Sequence, residues 1–227
     1  MGTSDLSRRS LVAFGAVSLL VLAACGSSGG GQSLDDVAGP DTLPPREPGV
    51  VSGIVREPFP DVDTVALPSL TNPGEEVRFR ADPGEIDVVY FGFTNCPDVC
   101  PTTMADLTVA LRKLDRVEPG LRDRVDTVMV TVDPDRDLDI LPQYVTSFVS
   151  DAIAAGTADT DLLDQAGEPF GLVSDVRTLD DGAIEVDHSP FLYAVDDQGR
   201  LVLTWQFGAS SDDMAADLAI LLERSDA

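Results

Sequence analysis

The chain has 227 residues and a formal net charge of −25, which results from 40 acidic and 15 basic side chains. Its 43% hydrophobic content is typical of a folded protein and not of a disordered one. The acidic balance excludes nucleic acid as a partner, because phosphate recognition needs a basic surface. With three cysteines and one histidine, thiol or soft-metal chemistry has very few residues to use.

Residues 1–24 are predicted to be a lipoprotein signal peptide. A positively charged start, the apolar stretch 11–22 and two alanines precede Cys25, and the stretch is too short to span a bilayer comfortably. This pattern resembles a bacterial lipobox, in which the cysteine becomes the lipidated first residue of the mature chain. We therefore expect a lipid anchor at Cys25 on the extracytoplasmic face of the bacterial cell membrane.

A flexible tether and one folded domain are predicted to follow the signal peptide. Residues 25–48 begin with a glycine- and serine-rich run and contain several prolines, which is typical of a linker. The folded domain is predicted to cover 49–227. This organisation predicts a protein that is attached to the membrane by lipid and does not span it.

Strands and amphipathic helices alternate along the predicted domain. The apolar, β-branched run 87–93 predicts a buried strand, and apolar residues at helical spacing predict a helix over 102–114. The later elements, in chain order, are a strand at 125–132, helices at 138–149 and 160–167, a hairpin of strands 191–195 and 201–207, and a helix at 212–223.

This order of elements predicts a thioredoxin-like α/β fold with a central mixed β-sheet flanked by helices. The helix after the first strand provides the crossover that a parallel strand pair requires. The predicted hairpin adds antiparallel strands to the same sheet.

Two cysteines stand where the first buried strand meets the following helix. Cys96 and Cys100 are four residues apart, so both sulfurs can face one small ion or close a disulfide. Because the positive end of the helix dipole lies there, we expect this placement to favour thiolate over thiol. An inert disulfide is the less favoured interpretation, since such a short loop adds little stability.

The single histidine, His188, precedes the predicted strand 191–195. In a thioredoxin-like sheet the loop before that strand lies beside the cysteine-bearing helix, so His188 is expected to face the two thiols. Two thiolates and one imidazole form a three-coordinate site that suits Cu(I) and is compatible with other soft ions. Asp187 either orients the imidazole ring or is merely solvated.

Three segments resemble the motifs of the Sco/SenC family of copper chaperones. The segment 91–104, FGFTNCPDVCPTTM, is similar to the family signature, while 131–137 (TVDPDRD) and 186–189 (VDHS) are similar to its second motif and its histidine loop. The segments occur in the family's order, and the resemblance covers roughly residues 60–224.

The resemblance implies a thioredoxin-like fold and one copper ion held by Cys96, Cys100 and His188. It also implies help in building the copper site of cytochrome c oxidase. Subunit II of that oxidase, or another copper-receiving protein, is then the expected partner. On this interpretation the protein is a metallochaperone and not an enzyme.

A thiol–disulfide oxidoreductase that uses Cys96 and Cys100 as its redox-active pair is the main alternative. It would reduce the cysteines of a copper-receiving partner and would not need His188 as a ligand. The Cys-x-x-x-Cys spacing departs from the Cys-x-x-Cys of ordinary disulfide exchangers, which disfavours this function. A thiol peroxidase and a purely structural lipoprotein are further alternatives.

Three local environments around the motifs are also predicted. Met104 is expected to be a core residue and not a thioether neighbour of the cysteines. A cis Ser189–Pro190 bond is left open by the comparison with thioredoxins. The acidic side chains of the second motif are expected to form a solvated loop, with a docking patch as the less favoured alternative: Asp133, Asp135 and Asp137.

Overall fold

The computed structural model describes residue 47 and residues 49–225. The predicted signal peptide, Cys25 and all but one residue of the predicted tether lie outside the described residues. No helix in the described part is both long and apolar enough to cross a membrane.

The strands of the described residues are, in chain order, β1 (Leu67–Pro68), β2 (Glu76–Val77), β3 (Ile86–Gly92), β4 (Val125–Thr131), β5 (Ile153–Ala155), β6 (Ser174–Thr178), β7 (Ile184–His188), β8 (Leu192–Val195) and β9 (Leu201–Trp205). The helices are α1 (Val99–Val117), α2 (Pro134–Asp137), α3 (Leu141–Thr146), α4 (Thr160–Gly167) and α5 (Ser211–Ser225).

A five-stranded mixed sheet in the order β5-β4-β3-β8-β9 forms the centre of the domain. Strand β3 pairs in parallel with β4 and antiparallel with β8. Every residue of β3 is buried, as expected for a strand covered on both faces. The predicted α/β architecture, a mixed sheet flanked by helices, is confirmed.

The parallel pairing places the carboxyl ends of β3 and β4 side by side. Gly92 is the register partner of Thr131, and the Val132 amide donates to the Gly92 carbonyl over 2.9 Å. The first cysteine motif follows β3, and the second motif begins at the last residue of β4. The sheet therefore brings both motifs to one edge.

The predicted helices differ from the observed ones mainly in length. The helix predicted over 160–167 is confirmed with the same bounds. The helix predicted over 138–149 is shorter at both ends, because it begins at Leu141 and ends at Thr146. There the hydroxyls of Thr146 and Ser147 donate to the carbonyls of Pro142 and Tyr144, which competes with continuation of the helix.

The hairpin of β6 and β7 was not predicted, and His188 is the last residue of β7 and not part of a loop. Every residue of β6 is exposed, so this strand shows none of the apolar pattern that marks a buried strand. Arg177 of β6 instead forms ion pairs with Glu185 and Asp187 of β7.

Asp87 is a buried carboxyl within β3, paired in register with Asp126 of β4 and only 5% exposed. Burial, and then the nearby carboxylates of Asp126, Glu85 and Asp82, raises the pKa of Asp87 to about 8. In an unfolded chain an aspartate titrates near pH 4. The folded state thus keeps a proton that the unfolded state releases, so stability falls as the pH rises between these two values.

We expect Asp87→Asn to leave the free energy of unfolding nearly unchanged at pH 4 and to raise it at pH 8. The gain at pH 8 should be on the order of a few kcal/mol, because the neutral amide removes the need to bury a charge or bind a proton. Urea denaturation at both pH values measures the effect. Asp135→Asn is the control, since Asp135 is exposed. A pH-independent effect of Asp87→Asn would contradict the raised pKa.

Candidate metal centre

The two cysteines occupy different environments at the start of α1. Cys96 precedes the helix and is half-buried, whereas Cys100 lies in its first turn and is fully buried. The Cys100 amide donates to the Cys96 sulfur over 3.2 Å, which gives a partner to one of the free N–H groups of the helix start. Both thiols are free.

His188 lies directly against the buried cysteine. Its Nε2 atom is 3.5 Å from the Cys100 Sγ, and its Nδ1 atom is 3.1 Å from the Ser189 carbonyl oxygen. Because a carbonyl oxygen only accepts, Nδ1 carries the proton, and the Nε2 lone pair faces the sulfur. Burial lowers the pKa of His188, against opposing contributions from Ser189 and Asp187, and this favours the neutral ring that binds metals.

The imidazole ring is fixed from two sides. Phe93 and Tyr90 meet it edge-to-face, with ring centroids 5.7 Å and 6.1 Å away. The next residue is tied back to the segment before β6, since the Ser189 amide donates to the Val173 carbonyl over 2.9 Å. The hairpin therefore holds His188 at the cysteine helix.

Burial dominates the protonation of Cys100. It raises the pKa of the Cys100 thiol to about 12, and the neighbouring Tyr90 hydroxyl opposes only part of this effect. The prediction that the helix start favours thiolate is therefore wrong for Cys100, because desolvation of a buried anion outweighs the helix dipole. A metal must displace the proton from this thiol when it binds.

The structure brings Cys100 and His188 into contact and leaves Cys96 beside them over the helix start. Within the described residues, no group of three or more His, Cys, Asp or Glu side chains is arranged so that it could hold a metal ion. Joint ligation by all three residues thus stays a prediction. The donor set itself, two sulfurs and an imidazole nitrogen with a free lone pair, suits a soft ion of low coordination number.

Asp187 does not orient the imidazole ring. Its exposed carboxylate accepts a hydrogen bond from Arg177 over 2.6 Å, on the face of β7 opposite to His188. The Ser189 carbonyl makes the contact with Nδ1 instead. Of the two roles predicted for Asp187, orienting the ring is therefore wrong, and the carboxylate is solvated and paired with Arg177.

The acidic residues of the second motif do not form a solvated loop. Asp133 and Asp137 are 2% and 0% exposed, and of the three only Asp135 is exposed. Asp133 forms an ion pair with Arg136, and its amide donates to the Thr131 hydroxyl. A buried carboxylate needs such partners, so these side chains have a structural role.

Asp137 connects the two motifs. Its carboxylate accepts hydrogen bonds from the Thr94 amide (2.9 Å), the Thr94 hydroxyl (2.5 Å) and the Thr131 hydroxyl (2.8 Å). Thr94 is two residues before Cys96, and Thr131 ends β4. This carboxylate therefore fixes the start of the cysteine loop to the neighbouring strand.

Sequence reasoning also missed two tyrosines. The hydroxyls of Tyr90 and Tyr144 are buried without a hydrogen bond of standard geometry, and both phenols are close enough to the cysteines to interact electrostatically with them. The sequence did contain one sign of the role of Tyr90, which is the glycine at position 92. A Cβ at Gly92 would approach the Tyr90 ring to 2.6 Å, so the glycine two positions later provides the space for that ring.

The two remaining local predictions have different outcomes. Met104 is fully buried within the hydrophobic core, which confirms its prediction as a core residue. Among the described residues the cis peptide bond is Glu57–Pro58, so Ser189–Pro190 is trans.

The chain is similar to a known protein family and to curated relatives. The SCO1/SenC family model matches residues 69–223. The chain is 33% identical over 135 residues to the mitochondrial protein SCO2 homolog of Danio rerio, a match that covers 59% of this chain and 47% of that protein. The chain thus spans about half the length of this curated relative.

Solved structures share the fold. Apo Sco1 from Thermus thermophilus is 30% identical with a TM-score of 0.63, covering 76% of this chain and 97% of its own. ScoI from Bradyrhizobium japonicum with copper bound is 25% identical with a TM-score of 0.57, covering 73% and 98%. BsSco, a member of the Sco family of cytochrome c oxidase assembly proteins with a disulfide switch, is 19% identical with a TM-score of 0.55, covering 75% and 98%, and supports the fold alone. The predicted thioredoxin-like fold is confirmed.

Proposed function

Because the chain belongs to the SCO1/SenC family, whose members take part in copper handling and cytochrome c oxidase assembly, we propose that it is a membrane-anchored copper chaperone. It binds one copper ion through the sulfurs of Cys96 and Cys100 and the Nε2 atom of His188. The recipient is the copper site of cytochrome c oxidase subunit II or another copper-receiving protein. The anchor is a lipid on Cys25 at the extracytoplasmic face of the bacterial cell membrane.

The contact between Cys100 and His188 is the observation that carries this proposal. Here Nδ1 has a carbonyl partner, while the Nε2 lone pair faces a thiol at 3.5 Å. Two soft-metal donors thus point at the same space, and the second sulfur lies one helical turn away.

The two cysteines differ in solvent exposure, and this difference determines from which side a partner can approach the proposed metal. Cys100 and His188 lie inside, whereas Cys96 is half-buried at the surface. A thiol of a copper-receiving partner therefore reaches the metal from the Cys96 side, so we expect ligand exchange to begin by replacement of the Cys96 sulfur.

Oxidation of the cysteine pair is expected to abolish Cu(I) binding. Disulfide formation removes two electrons and two protons from Cys96 and Cys100, and a disulfide provides no thiolate ligand. Titration with Cu(I) should give one bound ion per reduced protein and none after oxidation, with binding restored by a reductant. Mass spectrometry verifies the oxidation state. Full Cu(I) binding by disulfide-bonded protein would contradict the proposed ligation.

A thiol–disulfide oxidoreductase is the second candidate function, and the same difference in exposure favours it. An accessible Cys96 with a buried Cys100 behind it is the arrangement of an attacking and a resolving thiol. The discriminating reaction is metal-free reduction of a disulfide-bonded peptide from a copper-receiving site. If His188→Ala catalyses this reaction as fast as wild type while wild type binds no Cu(I), the oxidoreductase function replaces the chaperone function.

A further inference from the structure

Tyr90 has a buried hydroxyl that makes no hydrogen bond of standard geometry. The side chain is 0% exposed, so the O–H group has no contact with bulk solvent. An unsatisfied buried donor costs free energy that a phenylalanine at the same position would avoid. At this position the cost is offset if an acceptor for the O–H group exists in another state of the site.

The surroundings of Tyr90 identify that acceptor. Its ring meets the His188 ring edge-to-face, and its hydroxyl lies beside Cys100, which is also fully buried. The other nearby hydroxyl, that of Thr103, already donates its proton to the Val99 carbonyl over 2.8 Å. The Cys100 sulfur is then the one group among these neighbours whose acceptor strength changes with the state of the site.

The ring of Tyr90 cannot easily move away from this position. Gly92 leaves the space in which the ring lies, and a Cβ there would also approach the Met129 Cε atom to 3.0 Å. Tight packing on the strand face fixes the phenol, so the hydroxyl is already placed before any metal arrives.

We propose that Tyr90 is a positioning residue of the copper site, whose phenol O–H donates a hydrogen bond to the Cys100 sulfur when that sulfur is a copper-bound thiolate. A neutral thiol accepts weakly, and an anionic sulfur accepts strongly. The hydrogen bond is therefore stronger in the loaded state than in the protonated state, and this difference increases the affinity for Cu(I). The inference rests on the proposed function, because it requires Cys100 as a copper ligand.

Tyr90→Phe tests this role because it removes one oxygen and keeps the ring. We expect the Cu(I) affinity, measured by competition with a chromophoric chelator, to fall about tenfold, as for loss of one hydrogen bond to a charged group. The ultraviolet sulfur-to-copper charge-transfer band should move to longer wavelength, because a thiolate without its donor releases electrons more easily. The melting temperature of the metal-free protein should not fall.

Tyr193→Phe is the matched control. The Tyr193 hydroxyl is also buried without a partner, and its side chain is 0% exposed, but it packs among Phe91, Phe170 and Phe191. The Cu(I) affinity and the sulfur-to-copper charge-transfer band of the Tyr193→Phe variant should equal those of wild type. Equal behaviour of Tyr90→Phe and wild type, or equal losses in both variants, would overturn the role of Tyr90. Absence of Cu(I) binding by the wild type would instead overturn the proposed function.

Discussion

Asp137→Ala is expected to lower the free energy of unfolding by about 3–5 kcal/mol. The substitution removes a fully buried carboxylate that accepts three hydrogen bonds from Thr94 and Thr131. Hydrogen bonds to a charged group are stronger than neutral ones, and buried donors left without acceptors add a desolvation penalty. Urea denaturation of the metal-free protein measures the loss.

Two further variants separate this effect from a general effect of charge. Asp135→Ala removes an exposed carboxylate of the same motif and should change stability by no more than about 0.5 kcal/mol. Asp137→Asn keeps one carbonyl acceptor and should fall between wild type and Asp137→Ala. Similar stabilities of Asp137→Ala and Asp135→Ala would refute the proposed connection between the motifs.

Substitution of the predicted ligands is expected to have the largest effect on copper. Cys96→Ala or Cys100→Ala should lower the Cu(I) affinity by about a thousandfold or more, because thiolates are the donors that soft Cu(I) prefers. His188→Ala should lower it by roughly 10- to 100-fold, since two sulfurs remain. Competition against a chelator of known affinity, in the presence of reductant, measures each loss.

Asp187→Ala is the control for His188→Ala. Its carboxylate is exposed and bonded to Arg177, so its removal should leave the Cu(I) affinity unchanged. Equal affinities of wild type and the Cys100→Ala variant would exclude Cys100 as a ligand. Equal losses in Asp187→Ala and His188→Ala would show that the charge of the hairpin matters and the imidazole does not.

The parts of the fold that depend on local apolar patterns could be predicted from the sequence. The fully buried strand β3 and the helix α1 follow from the hydrophobic run and the helical spacing around the cysteines. The proximity of His188 to Cys100 could be predicted as well, because the thioredoxin-like order of elements places the segment before β8 beside the cysteine helix. These features follow from local patterns and from the order of the elements.

The features that the sequence did not reveal depend on long-range contacts. An aspartate in a motif with four charged residues has the composition of a surface loop, and only the register of β3 and β4 shows that Asp137 faces Thr94. The exposed strand β6 is stabilised by its partner and by ion pairs of Arg177, so it has no apolar period. Tyr90 resembles any other residue of a buried strand until the position of Cys100 is known.

X-ray absorption spectroscopy at the copper edge tests the central claim most directly. The sample is the reduced protein loaded with one equivalent of Cu(I). The proposed site predicts two sulfur scatterers and one nitrogen scatterer around the metal, with the nitrogen absent in His188→Ala. A shell without nitrogen in the wild type, or a nitrogen that persists in His188→Ala, would contradict copper ligation by Cys96, Cys100 and His188.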